Sequence, residues 1–110
     1  MEITTTSYKR CELVKATGII DSYTAPELEK VFQDIIKGGK SGIVFDMSEV
    51  QLISSRGIWV LLETQKACQK KKGSLVLCNV SEDMITSFEL AGIMHFIEIY
   101  NDLTAAVGSF

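Results

Sequence analysis

The sequence predicts one α/β domain in which helices pack on a mixed, largely parallel β-sheet. After an initial pair of strand-like segments, short apolar runs alternate with segments of helical periodicity, as in sheets with right-handed crossovers. The length of 110 residues suits one compact core. We therefore expect residues 1–110 to form one domain with an N-terminal strand pair and about four helices.

The first two strands and the first helix are predicted from residues 2–40. Residues 2–20 carry β-prone side chains and indicate two strands with a turn near residues 9–10. The segment TAPELEKVFQDIIKGGK then changes to helical periodicity. Thr24 and Glu27 predict a capping box at its start, and the paired glycines near its end predict where the helix stops.

Two short apolar runs, GIVFDM and SLVLCNV, are typical of strands buried on both faces. Between them, after a loop, residues 55–71 predict a second helix. The basic residues 70–72, with Lys66 one turn earlier, suit the C-terminus of this helix, where cations complement the dipole. We prefer that interpretation to a nucleic-acid-binding patch.

A third helix is predicted to begin after Ser81, an N-cap residue followed by two acidic residues, and to end at Gly92. The run FIEIY predicts the last strand, and residues 102–107 predict a short closing helix. The apolar positions expected on the third helix are Met84, Ile85, Phe88 and Leu90.

Composition excludes several classes of function. A net charge of −3 and a pI of about 5.1 provide no field that attracts nucleic acid or an anionic membrane. The apolar runs are a few residues long, whereas a membrane span needs about 20. Met1 is followed by a polar run, so we expect no signal peptide and a cytoplasmic protein.

The three cysteines, Cys11, Cys68 and Cys78, have the spacing of neither a zinc site nor a redox pair. We expect reduced, mostly buried thiols. No other residue pattern indicates a metal or a cofactor, so we predict neither.

The segment QLISSRGIWVLL places two hydroxyls between a strand–loop segment and a helix. Either Ser54 or Ser55 can cap the helix through its side-chain oxygen. The unpaired N–H groups and the dipole at such a terminus also accept an anion. A serine at this position can therefore carry a phosphoryl group without unfolding the domain.

The longer segment FDMSEVQLISSRGIWVLL resembles the central motif of STAS domains, the sulfate-transporter and anti-sigma-factor-antagonist fold. TGIIDSYTAPELEK resembles the stretch that leads into the first helix of that family, and SFELAGIMHFIEIY resembles its later helix–strand segment. The resemblance extends from about residue 10 to residue 107, in order and spacing. The matching central positions are Asp46, Ser48, Val50, Ile53, Ser55, Gly57, Ile58, Leu61 and Leu62, and the earlier ones are Gly18, Asp21, Thr24 and Ala25.

This resemblance implies an anti-sigma factor antagonist, a binding protein and not an enzyme. In such proteins the serine two residues before the motif glycine is phosphorylated, which is Ser55 here, with Ser54 as the less favoured candidate. The unphosphorylated form binds an anti-sigma factor, often a serine-protein kinase of the histidine-kinase-like ATPase fold, and frees a sigma factor. A PP2C-like phosphatase resets the cycle.

Trp59 lies one helical turn after the serine pair and is expected at the rim of the helix, where tryptophan often anchors a partner. Packing against a neighbouring loop is the alternative. Arg56 stands where the family usually has a small residue, and it can bond a phosphate on Ser55 or contact a partner. The predicted partner-binding residues are Asp21, Ser22, Tyr23, Ser54, Ser55, Arg56 and Trp59.

Two other functions compete with this prediction. One is a STAS protein-interaction or nucleotide-binding module without a phosphorylation switch, although the glycines form no P-loop. The other is an enzyme with a serine nucleophile, which needs a base and an orienting group. His95 is the only histidine, Asp46 is a remote candidate to orient it, and the G-x-S-x-G elbow is lacking.

Overall fold

The computed structural model describes residues 1–110 and contains six strands, four α-helices and one short 3-10 turn. The strands are β1 (Glu2–Ser7), β2 (Glu12–Ile20), β3 (Gly42–Asp46), β4 (Val50–Ile53), β5 (Ser74–Cys78) and β6 (Glu98–Tyr100). The helices are α1 (Ala25–Lys37), α2 (Ser55–Lys70), α3 (Glu82–Ala91) and α4 (Leu103–Gly108), and the 3-10 turn is Ile93–His95.

The strands form one mixed sheet in the order β1-β2-β3-β5-β6. β1 pairs antiparallel with β2, and every other pairing is parallel. The predicted fold class, with its N-terminal strand pair and four helices, is therefore confirmed. The chain between each two parallel neighbouring strands contains a helix, the usual crossover connection of a parallel pair.

β2 changes partner along its length, and this change builds the region of interest. Its first residues pair with β3, while residues 18–20 pair with β4. The register shifts between Gly18 and Ile19, and Gly18 has a φ of 112°, which glycine adopts without strain. The bend carries the end of β2 away from β3 and leaves it free to pair with β4.

β4 was predicted as a loop, and that prediction is wrong. The strand has four residues and pairs only with the end of β2. Gln51 and Leu52 are exposed, so the segment lacks the alternation that marks a half-buried strand.

The main core lies between the sheet and the layer formed by α1, α2 and α3. Side chains of β3 alternate: Ile43 and Phe45 face this layer, whereas Val44 faces α4 on the other side. Phe45 meets Phe32 of α1 edge to face, with ring centroids 5.5 Å apart. The smaller second core, beneath α4, includes the Cys11 and Cys78 side chains.

The predicted cap at the start of α1 is also wrong. Thr24 makes no side-chain cap; its hydroxyl donates to the Ile19 carbonyl at 2.8 Å and accepts from the Asp21 N–H at 2.9 Å. The Asp21 carboxylate instead receives the N–H groups of Tyr23 and Thr24. The end of α1 at the glycine pair is confirmed.

The third helix follows its prediction more closely. The Ser81 side chain accepts from the Met84 N–H at 3.3 Å, and Gly92 ends the helix with a left-handed φ of 74°. Leu90, however, points into solvent. The last strand is shorter than FIEIY, because it begins at Glu98, after the exposed Phe96.

Candidate functional site

The junction of β4 and α2 is held by the backbone and the side chain of Ser54. Its N–H donates to the Ile20 carbonyl at the end of β2 at 2.8 Å, and its Oγ accepts from the Gly57 N–H at 3.4 Å. Its carbonyl accepts from the Ile58 N–H, as an N-cap carbonyl does. Of the two serines that could cap the helix, Ser54 is therefore the N-cap of α2.

Ser55 is the first residue of α2, so its predicted place at the start of the second helix is confirmed. The residue is exposed, and its hydroxyl takes part in no hydrogen bond within the chain. The first turn of α2 contains no acidic residue. The hydroxyl thus stands free beside the positive end of a 16-residue helix.

Gly57 lets the start of α2 lie directly on the ends of β2 and β4. A Cβ atom at this position would lie 2.6 Å from Ile53 Cγ1 and 2.7 Å from Ile20 Cγ2, closer than real Cβ contacts. The glycine is required by this close approach, since its φ is not positive. The position of Ser55, two residues earlier, is thereby fixed against the sheet.

Trp59 is 43% exposed, and the Arg56 guanidinium covers its ring at 4.3 Å from the centroid. Such a stack contributes about 0.5–1 kcal/mol at an exposed site. No carboxylate lies within 4.0 Å of Arg56. The tryptophan is on the rim of α2, as predicted, and the arginine rests on it.

The Ser54–Ile20 hydrogen bond places the β2–α1 turn beside the start of α2. Hydrogen bonds from the backbone N–H groups of Tyr23 and Thr24 lower the pKa of Asp21, because they stabilise its carboxylate. Tyr23 is 92% exposed. The turn with the predicted residues Asp21, Ser22 and Tyr23 therefore begins directly after the residue that is bonded to Ser54.

Two apolar residues beside this site were not named among the predicted partner-binding residues. Ile19 and Leu52 face each other in the β2–β4 pairing, and both are exposed, Leu52 by 58%. The two side chains form a small exposed apolar patch at the ends of β2 and β4. The unbroken pair Ile19–Ile20 was the one local signal, since two consecutive strand residues cannot both face the core.

A shallow groove continues from Trp59 along the flank of α2. It has a volume of 260 Å³ and is lined by Trp59, Leu62, Glu63, Lys66 and Phe96. The groove extends the exposed apolar surface from the start of α2 towards the segment before β6.

The residues considered for nucleophilic catalysis are not brought together. His95 lies exposed on the 3-10 turn, and no hydrogen bond joins it to either serine. Asp46 Oδ1 accepts from the Ser48 N–H at 2.9 Å and from Asn79 Nδ2 at 3.2 Å. These bonds engage Asp46 in the turn after β3.

No group of three or more potential ligand side chains is placed to hold a metal ion. The three cysteines are buried and unpaired, as expected. No helix has the length and apolar character that crossing a membrane requires.

Comparison with known proteins agrees with this architecture. The family model of the STAS domain matches residues 2–106. The anti-sigma-B factor antagonist of Listeria monocytogenes is 34% identical over 86 residues, covering 76% of this chain and 74% of the relative.

Two solved structures show the same fold at low sequence identity. An anti-sigma factor antagonist from Mycobacterium paratuberculosis superposes with a TM-score of 0.88 at 22% identity, covering 98% of this chain and 92% of that one. The Bacillus cell fate determinant SpoIIAA in its phosphorylated form superposes with a TM-score of 0.76 at 14% identity, covering 99% and 100% of the two chains.

Proposed function

Because the chain belongs to the STAS domain family, we propose that it is an anti-sigma factor antagonist controlled by phosphorylation of Ser55. The unphosphorylated form binds an anti-sigma factor that is also a serine kinase, and this binding releases a sigma factor. The observation that carries the proposal is the free, exposed hydroxyl of Ser55 at the first position of α2. Because Ser54 supplies the cap, Ser55 can be modified without loss of a structural hydrogen bond.

The surface around Ser55 supports a binding role. The exposed side chains of Tyr23, Leu52 and Trp59 come from three neighbouring parts of the chain, which are the β2–α1 turn, β4 and the first turns of α2. Aromatic residues and arginine are enriched among the residues that dominate binding energy. The segments that follow parallel strands are also where α/β sheets usually present their binding sites.

Phosphorylation transfers the γ-phosphoryl group of ATP to Ser55 Oγ, with loss of the hydroxyl proton and departure of ADP. The product carries about −1.5 to −2 charges and three acceptor oxygens at neutral pH. The helix terminus tolerates this anion in the free protein. In a complex the phosphate would be desolvated, and we expect binding to weaken at least tenfold, which is about 1.4 kcal/mol.

The partners follow from this cycle. The kinase has the histidine-kinase-like ATPase fold, and a PP2C-like phosphatase restores the active form. The protein acts by binding, with no reaction of its own, and contacts neither nucleic acid nor membrane directly. Since sigma factors act on RNA polymerase, we place the protein in the cytoplasm.

The decisive experiment identifies the modified residue. Wild type, Ser54→Ala and Ser55→Ala are incubated with the co-encoded kinase and ATP, and the phosphate is mapped by mass spectrometry. We expect label on Ser55 in the wild type and in Ser54→Ala, and none in Ser55→Ala. Phosphate on Ser54, or equal labelling of Ser55→Ala, would reject the assignment, and no labelling with any co-encoded kinase would favour a binding module without a switch.

A second experiment tests the binding surface. Trp59→Ala removes the exposed ring, so we expect weaker binding to the kinase by isothermal titration calorimetry, with little loss of fold. Tyr8→Ala is the matched control, because Tyr8 is also a partly exposed aromatic residue but lies in the β1–β2 turn. Unchanged affinity of folded Trp59→Ala would show that the ring has only a packing role.

A further inference from the structure

Arg56 directly follows the proposed phosphorylation site and covers the ring of Trp59. We infer that Arg56 couples the two residues: a phosphate on Ser55 draws the guanidinium off the indole. The inference rests on the proposed function, because it requires Ser55 to be the modified residue. It assigns a role to a side chain that differs from the small residue usual at this position.

The present contact of Arg56 is easily replaced. The guanidinium has no carboxylate within 4.0 Å, and both Arg56 and Trp59 are exposed to solvent. A cation over an aromatic ring is a weak interaction when water competes for the cation. The stack therefore positions the Arg56 side chain in the unmodified protein but holds it only weakly.

A phosphate on Ser55 offers the guanidinium a stronger partner. Consecutive side chains of a helix point about 100° apart. Their Cα atoms are only about 3.8 Å apart, and the long, flexible arginine side chain can rotate back to a group on the preceding residue. The planar guanidinium binds phosphate through paired, charge-assisted hydrogen bonds, which are about twice as strong as neutral ones. No acidic residue in the first turn of α2 competes for Arg56.

Phosphorylation then changes the surface in two ways. It adds negative charge at Ser55, and it uncovers the face of Trp59 that the guanidinium protected. A partner that binds the stacked pair loses both the cation and the arrangement of the ring. Arg56 thus positions Trp59 in the binding-competent form and withdraws from it in the phosphorylated form.

The test needs neither kinase nor partner, because phosphoserine can be incorporated at position 55 during translation. Trp59 is the only tryptophan, so its indole Nε1–H signal in the NMR spectrum and its fluorescence report this ring alone. We expect phosphorylation to shift the indole signal towards its position in unphosphorylated Arg56→Gln, which lacks the stack. The Arg56 Nε–H signal should move at the same time, as a new hydrogen bond requires.

The variants separate this coupling from a general effect of charge. In Arg56→Gln, phosphoserine at position 55 should leave the indole signal nearly unchanged, because no stack remains to be lost. Lys66→Gln is the matched control, since it removes another cation that lines the Trp59 groove, and it should respond like the wild type. Circular dichroism verifies that every form is folded.

An indole signal that does not move in the wild type, or that moves equally in Arg56→Gln, would overturn the inference. Phosphate bound by backbone N–H groups alone would give the first of these results. Because phosphoserine is inserted during translation, the NMR experiment does not depend on a kinase. A negative NMR result therefore differs from failure of the proposed function, which would appear as absent labelling by the kinase. If the expected NMR shifts occur but no kinase labels Ser55, the coupling between Arg56 and Trp59 stands and the proposed kinase reaction is rejected.

Discussion

At the scale of single residues, two adjacent serines have different roles because the helix begins between them. Ser54 has an extended backbone and turns its oxygen back to the Gly57 N–H. Ser55 already belongs to the helix, and its side chain points away from the cap into solvent. Of two identical side chains in consecutive positions, one therefore caps the helix and the other is left free for the proposed modification.

This difference predicts that two alanine substitutions change stability by different amounts. Ser54→Ala removes the N-cap and should lower the free energy of unfolding by about 0.5–1 kcal/mol, the lower part of the range for caps because the bond is 3.4 Å long. Ser55→Ala should change it by less than about 0.5 kcal/mol, as exposed substitutions usually do. Urea unfolding measures both, and an equal loss in the two variants would contradict the assigned cap.

At the scale of secondary-structure elements, the contact of α2 with the ends of β2 and β4 positions the site. Gly57 permits this contact, because its missing Cβ leaves room for Ile20 and Ile53. The bend in β2 at Gly18 brings the end of that strand to β4. The two glycines act in different ways, one through close approach and the other through a positive φ.

We therefore expect Gly57→Ala to destabilise the protein although it lies in a helix. Overpacking of a filled contact costs about 1–3 kcal/mol, which outweighs the roughly 1 kcal/mol that alanine gains over glycine in a helix. Gly108→Ala is the control, because a Cβ atom there meets nothing within 4 Å, and it should be neutral or slightly stabilising. Thermal unfolding of both variants measures the difference, and a stabilised Gly57→Ala would show that α2 moves freely on the strands.

At the scale of the whole molecule, the two cores on either side of the sheet exclude water from all three thiols. Burial raises the pKa of Cys68 to about 11 and is the main cause that raises the pKa of Cys78 to about 12. In the unfolded chain these thiols ionise near pH 9.0. Between those values the unfolded state has lost protons that the folded state keeps.

The sign of this difference predicts alkaline destabilisation. The contribution of the thiols to the free energy of unfolding is fully present below about pH 9. It declines as the pH rises towards 11–12, since the unfolded state binds fewer protons there than the folded state. Urea unfolding between pH 7 and 10.5 should show that the free energy of unfolding declines more steeply with pH in the wild type than in Cys68→Ala. All other ionisable groups are the same in the two proteins, so equal slopes would mean that folding does not raise the pKa of Cys68.

The order of the elements was determined by the sequence itself, because its signals are local. Helical periodicity and the following glycines marked α1, the N-cap Ser81 marked α3, and continuous apolar runs marked β3 and β5. Each of these signals depends on residues within one or two turns of each other. The location of the serine pair at a helix start followed in the same way.

Only the tertiary structure decided the details of the site, because they depend on contacts between distant segments. β4 is a strand only because the bent end of β2 pairs with it, and the same pairing exposes Ile19 beside Leu52. The hydrogen bond from Ser54 to Ile20 places Ser54, and not Ser55, at the cap. A local pattern can show where a helix begins within a residue or two, but the cap is chosen by the backbone geometry that the neighbouring strand imposes.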